Sequence, residues 1–239
     1  MLIMPAVDIK NGKCVQLVQG KPGSEQVIID NPENVAKFWE DRGANIIHVI
    51  DLDGTIDGKS NINIIKDILD NVTVPIQLGG GIRSVEYAEK LLNLGIERLI
   101  IGTMGIKYPE TITQLANEFG SEHIMVSLDS KDSRVVINGW QEKIDKNAVE
   151  LGGEFENLGA GSILFTNVDY EGLLQGFSLE PLNNLLDSIN IPVVYSGGIT
   201  SIEDIKKLSE TDVEGVVIGS ALYKKNIKLE DALKYQKIR

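Results

Sequence analysis

Eight short apolar runs, each followed by an amphipathic stretch, divide the chain from one end to the other. The runs at 2–8, 46–51, 75–78, 98–102, 123–129, 162–166, 192–196 and 215–219 are rich in Val, Ile and Leu without polar alternation. That pattern predicts strands buried on both faces. The stretches between them predict helices with recognisable ends. Asn31-Pro32 offers a cap and then proline at the first helical position, with Val35, Phe38 and Trp39 on one face. Ser84 precedes a helix over 85–94 that Gly95 closes, Pro109 opens one that Gly120 closes, and Ser201 precedes another over 202–208. No linker, low-complexity tract or composition break interrupts the eight units. They predict an α/β fold, one (β/α)8 barrel over residues 1–239, rather than an open sheet.

The chain also repeats itself. Ile76-Gln-Leu-Gly-Gly-Gly-Ile-Arg-Ser84 answers Val193-Val-Tyr-Ser-Gly-Gly-Ile-Thr-Ser201, and Gly80 and Gly197 stand 117 residues apart, as do Gly102 and Gly219. Asp8 and Asp129, each closing an apolar run, are separated by 121 residues, about half of the 239. The barrel is therefore read as two duplicated half-barrels, about 1–120 and 121–239. Three strand-to-helix connections, 9–30, 130–143 and 167–179, are too long for turns. Loops on that face build the active site of such barrels.

Composition narrows the partners. A net charge of −12 argues against nucleic acid, which is gripped by Lys and Arg. It leaves room for a small phosphorylated ligand held by neutral backbone N–H groups. No apolar run reaches the ~18 residues of a membrane span, and the first residues lack a charged leader, so a soluble cytoplasmic protein is expected. The lone Cys14 excludes an internal disulfide, and its neighbours Val15 and Leu17 place it in a strand rather than at a reaction centre.

Asp8 and Asp129 face one barrel mouth from opposite sides, where one carboxylate can accept a proton while the other donates it. Gly80, Gly81, Gly102 and Thr103 present backbone N–H groups, a hydroxyl and helix starts to one anion; Gly197, Gly198, Gly219 and Ser220 do so for a second. Arg83 can reach a phosphate or carboxamide, and its counterpart Thr200 cannot. Thr166 ends a strand and can bond substrate or orient an aspartate. Trp140, in a polar loop, can stack on a heterocycle. His48 and His123 read as structural; Asp51, Asp53 and Asp169 read as loop organisers. No cluster has metal-ligand spacing and no dinucleotide fingerprint is present, so neither metal nor cofactor is indicated.

Several stretches carry a resemblance over the whole length: Pro5-Ala-Val-Asp8-Ile-Lys-Asn-Gly-Lys13, Leu17-Val-Gln-Gly20, His48-Val-Ile-Asp51-Leu-Asp53-Gly54, Gln77-Leu-Gly-Gly-Gly-Ile-Arg83-Ser84, Asn138-Gly-Trp140 and Ser196-Gly-Gly-Ile199. In these the chain resembles the phosphoribosylformimino-aminoimidazole carboxamide ribotide isomerases of histidine biosynthesis. The resemblance implies a cofactor-free Amadori rearrangement of a bis-phosphorylated small molecule. Asp8 would be the base, Asp129 the acid and Thr166 their neighbour. It departs from many relatives at Gln16, where they have arginine, and at Glu171-Gly-Leu-Leu-Gln-Gly-Phe-Ser178, where they have Asp-Gly-Thr-Leu-x-Gly-Pro-Asn. The sister cyclase shares the barrel, but normally has cysteine where Ala6 stands and needs a glutaminase partner. A non-catalytic phosphosugar sensor would need neither aspartate. No obligate protein partner is expected, and the chain is expected to be a monomer. The three long loops, with Gly12, Gly20, Gly23, Gly172 and Gly176, are expected to close over the mouth when substrate binds, with Trp140 near its imidazole end.

Overall fold

The computed structural model describes residues 1–21, 23–56, 58–173 and 177–237. Its strands are β1 (Leu2–Lys10), β2 (Lys13–Gln16), β3 (Val27–Asp30), β4 (Ile47–Asp51), β5 (Ile76–Gly79), β6 (Arg98–Ile101), β7 (Ile124–Lys131), β8 (Arg134–Ile137), β9 (Glu142–Lys143), β10 (Ser162–Asn167), β11 (Val193–Ser196) and β12 (Gly215–Ile218). Eight of them pair in parallel in the order β1-β4-β5-β6-β7-β10-β11-β12, and β12 pairs with β1 to close the ring. Helices follow the barrel strands, so the fold is a (β/α)8 barrel. Among the described residues, no helix is long and apolar enough to cross a membrane.

The lack of polar alternation in the strands has a direct cause: both faces of each strand meet a core. Met4, Ala6, Ile100, Met125, Leu164, Val194 and Val217 fill the inside of the ring. Their neighbours Ile3, Val7, Leu99, Ile101, Val126 and Ile163 pack outward against the helices. Toward the bottom of the ring the filling turns polar. The Arg98 guanidinium donates to Gln77 Oε1 at 2.8 Å and pairs with Glu214 at 2.9 Å, and Gln77 meets His48 Nδ1 at 2.6 Å. Burial, with the Arg98 charge adding, pushes the His48 imidazole down to about 3, so it stays neutral. His48 is a packed histidine, and His123, whose ring bonds the Glu97 carbonyl, is also structural.

The helix starts at Ser84 and Ser201 follow the sequence, while the helix after β3 departs from it twice, at its cap and on its face. Ser84 accepts from the Tyr87 N–H, and Ser201 forms a reciprocal capping box with Asp204. Asn31, by contrast, sits in a left-handed conformation and makes no side-chain cap; Pro32 alone marks that helix start. Phe38 does not share the buried face of Val35 and Trp39. It is 43% exposed, and Arg42 stacks on it with its guanidinium carbon 3.5 Å from the ring centre.

Two of the long connections are hairpins rather than irregular loops. β1 runs on past Asp8 to Lys10 and pairs antiparallel with β2, which pairs with β3. β7 likewise runs past Asp129 to Lys131 and pairs with β8, which pairs with β9. Both turns have positive φ at two successive residues, Asn11 and Gly12 in one, Asp132 and Ser133 in the other. This is the two-residue turn that matches strand twist, and Asn-Gly is its strongest sequence signal. The duplication thus extends into the loops.

Candidate active site

Strand order fixes the plan of the barrel mouth. Asp8 on β1 and Asp129 on β7 stand four strands apart, on opposite sides of the ring. The turns after β5 and β6 occupy one quadrant between them, and the turns after β11 and β12 occupy the opposite one. All the sequence-selected residues line one cavity of about 630 Å³: Asp8, Gly80, Gly81, Arg83, Gly102, Thr103, Asp129, Trp140, Thr166, Gly197, Gly198, Gly219 and Ser220.

The two glycine turns match in φ. Gly80 has φ 97° and Gly197 has φ 98°; Gly81 has φ 68° and Gly198 has φ 74°. A Cβ at Gly80 would run into the Asp51 backbone, and one at Gly197 would lie 2.5 Å from the Asn167 carbonyl oxygen. Glycine is needed there for both dihedral and space. Gly102 (φ −99°, ψ −107°) and Gly219 (φ −102°, ψ −105°) repeat the match, each preceding a short helix that begins with Thr103 or Ser220. Each half thus offers a glycine turn, a helix start and a hydroxyl, a combination suited to a phosphate.

Asp8 stands at the cavity wall among Gln16, Cys14, Glu171 and Tyr223. Burial raises its carboxyl from 3.8 to about 7, the Glu171 charge adds to the rise, and a hydrogen bond from Gln16 opposes it. That bond runs from Gln16 Nε2 to Asp8 Oδ2 at 3.2 Å. Asp129 is also raised by burial, against hydrogen bonds from Trp140, Thr166 and Ser127 that favour its charged form. Ser127 Oγ donates to Asp129 Oδ1 at 2.9 Å, and Thr166 is its register partner on β10. Ser127 lies two residues before Asp129 on one strand, so period-two alternation puts both on the cavity side.

Glu171 was visible in the sequence only as a departure in the connection after β10. In the structure it lines the cavity as a third carboxyl, raised from 4.5 to about 7 by burial and by the charge of Asp129. Nothing in its local pattern marks it; only the folding back of its loop does. Gly172 follows it into contact with the Leu17 and Val18 backbone, while Gly176 lies outside the described residues.

The remaining candidates hold the mouth in shape. Asp51 accepts from Gly54 N at 3.0 Å and from Asn61 Nδ2 at 2.7 Å; Asp53 accepts from Asn11 N at 2.7 Å and from the same Asn61 amide at 2.8 Å. Asp169 accepts from Asp132 N at 3.0 Å. Arg83 donates to the Gly54 and Thr55 carbonyls, at 3.1 and 3.2 Å. Cys14 is buried against the Tyr223 hydroxyl at 3.3 Å, and burial pushes its thiol up to about 12, which removes it as a nucleophile.

Fold and site together define a (β/α)8 barrel with two matched glycine turns at its mouth and, between them, carboxyls that burial raises. Residues 2–228 match the family described as "Histidine biosynthesis protein". The chain is 60% identical over 237 residues, 99% of this chain and 100% of the relative, to a 1-(5-phosphoribosyl)-5-((5-phosphoribosylamino)methylideneamino)imidazole-4-carboxamide isomerase of Methanosphaera stadtmanae. Isomerases of the same name from Methanothermobacter thermautotrophicus and Methanococcus voltae are 59% and 51% identical, over 100% and 98% of this chain and 100% and 97% of the relatives. The chain belongs to the histidine biosynthesis protein family.

Proposed function

We propose that this chain is the isomerase its relatives are named for, converting the aminoaldose end of a bis-phosphorylated imidazole carboxamide ribotide into an aminoketose. One observation carries the reading: a single cavity holds two matched anion cradles in opposite quadrants, with Asp8 and Asp129 in the quadrants between. A substrate with a phosphate at each end, gripped by both cradles, lays its sugar between the carboxyls. The grips position C2 against the base; equal grip on ground and transition states would add no rate by itself.

The chemistry is a proton relocation that needs no external oxidant. Asp129 gives its proton to the ring oxygen as the C1–O bond breaks, and the nitrogen lone pair forms the C1=N bond of an open iminium. Asp8 then takes the proton from C2, and the C2–H electrons form C1=C2 while the C=N pair returns to nitrogen. The resulting enaminol becomes the ketone as its hydroxyl proton leaves and carbon gains one at C1. Burial raises both carboxyls, Asp8 to about 7, where a group exchanges protons readily at neutral pH, and Asp129 in the direction an acid needs to keep its proton. Glu171, raised in the same way, is a second proton donor within the cavity.

The deciding experiment is turnover of the ribosylamino substrate by the purified chain without ammonia or glutaminase. Formation of the ribulosyl product supports the reading. Binding without turnover would make the chain a sensor, and product only from the ribulosyl compound plus ammonia would make it a cyclase.

A further inference from the structure

Gln16 ends β2 with a side chain that is 3% exposed, and every polar atom of its amide is engaged. Its nitrogen donates to Asp8 Oδ2 at 3.2 Å and to the Val15 carbonyl at 3.0 Å. Its oxygen accepts from the Ser220 hydroxyl at 3.3 Å. The end toward Asp8 sets the orientation of the amide, because turned over its oxygen would face a carboxylate and a carbonyl, two acceptors with no donor between them. A Cβ at Gly219 would collide with that same amide oxygen, so the bare glycine of the second cradle makes room for Gln16.

Resting on the reading of Asp8 as base and of Ser220 as a phosphate contact, we propose that Gln16 is a positioning residue that ties the base to the second phosphate cradle. Its amide passes the seating of a phosphate on Ser220 to the Asp8 carboxylate.

The physical route is short. While Ser220 donates to Gln16 Oε1, the amide is polarised and its N–H holds Asp8 more firmly, as hydrogen bonds in series reinforce one another. A phosphate oxygen is a stronger acceptor than an amide, so a seated phosphate draws the Ser220 proton to itself. The amide loses its polarising partner, its hold on Asp8 weakens, and the carboxylate becomes a better proton acceptor when the substrate is in place. The other groups facing Asp8 are Glu171 from the loop after β10, Cys14 on β2 and Tyr223 at the end of the short helix that Ser220 begins, with Asp129 across the ring. The Ser220 hydroxyl itself bonds the Gln16 amide, which makes the amide the direct route from that hydroxyl to Asp8.

The test does not depend on turnover. The Asp8 carboxyl is titrated by carbon NMR in chains labelled at the aspartate carboxyls, with Asp8→Asn assigning the signal, in the absence and presence of inorganic phosphate. Gln16→Met keeps length but removes the amide, and Ser220→Ala removes only the hydroxyl. In the unliganded chain Gln16→Met raises the Asp8 midpoint by about one pH unit, the size expected for a lost bond to a charged group. Phosphate raises the wild-type midpoint, and by clearly less in both variants. Equal phosphate-induced shifts in wild type and Ser220→Ala, which should fold whatever becomes of Gln16→Met, overturn the proposal. A chain that fails to turn over substrate but shows the reduced shifts would sink the isomerase reading and leave the coupling standing.

Discussion

The ring of Trp140 lies against Gly20 so closely that a Cβ there would sit 2.9 Å from two of its carbons. This contact joins the loop after β8 to the loop between β2 and β3 across the cavity mouth. Gly20 also has φ 62°, where a side chain is strained. Gly20→Ala is expected to weaken this closure by about 1–3 kcal/mol. If closure assembles the site, kcat/KM falls by roughly 5- to 100-fold, at about 1.4 kcal/mol per decade, with Tm nearly unchanged. Steady-state kinetics and thermal melts check it. A variant with wild-type kcat/KM would show that Trp140 is not part of the closed site.

The carboxyls are separable by substitution. Asp8→Asn and Asp129→Asn are each expected to lower kcat by roughly 10²–10⁴. Glu171→Gln removes a charge that holds Asp8 up. Its residual kcat/KM should therefore reach half-maximum at lower pH than the wild type, whose acidic limb is expected where Asp8 titrates, at about 7. A limb that stays in place in Glu171→Gln would uncouple Glu171 from the base.

Asp8 should cost stability as well as provide activity. Between its ordinary value of 3.8 and the folded value of about 7, the folded chain holds a proton that the unfolded chain has released. The contribution from this carboxyl is therefore greatest at low pH and declines as pH rises through that window. Asp8→Asn removes the decline. Its Tm should exceed that of the wild type at pH 8, by about 2–4 °C for each kcal/mol relieved, and the two should converge toward pH 4. Melting curves at both pH values decide it; a lower Tm for Asp8→Asn at pH 8 would contradict the burial argument.

Matched turns predict matched consequences. Gly80→Ala and Gly197→Ala each drive a Cβ into backbone from the neighbouring strand end and strain a positive φ. Both are expected to lose phosphate binding, and crystals of the wild type grown in sulfate should show an anion at both turns. An anion at one turn only would break the equivalence of the halves.

How far the sequence carried differs between scaffold and site. The strands were legible because each serves two cores, which leaves unbroken apolar runs such as Ile3, Met4, Ala6 and Val7. The glycine turns were legible because at Gly80 and Gly197 a positive φ and close backbone leave no room for a side chain, and the duplication printed that demand twice. The first hairpin had a signal, Asn11-Gly12 between Ile9-Lys10 and Lys13-Cys14, that was masked by reading 9–30 as one loop. Phe38 misled because its apolar ring finds Arg42 rather than the core. Glu171 and Gln16 stood out only as departures from the family pattern, with nothing local to mark a role, since their roles arise when chain segments distant in sequence meet at the cavity.

The repeat creates a problem of direction. On the proposed reading, two turns of matched φ would hold either phosphate equally well and by themselves accept the substrate end over end, whereas only one orientation would bring C2 to Asp8. The discrimination must come from residues that the duplication did not keep equal. Arg83, bonded to Gly54 and Thr55, stands where the other half has Thr200, whose hydroxyl is spent on Asp204 at 2.8 Å. The half-barrels share their grip, and the places where they have drifted apart tell the enzyme which end is which.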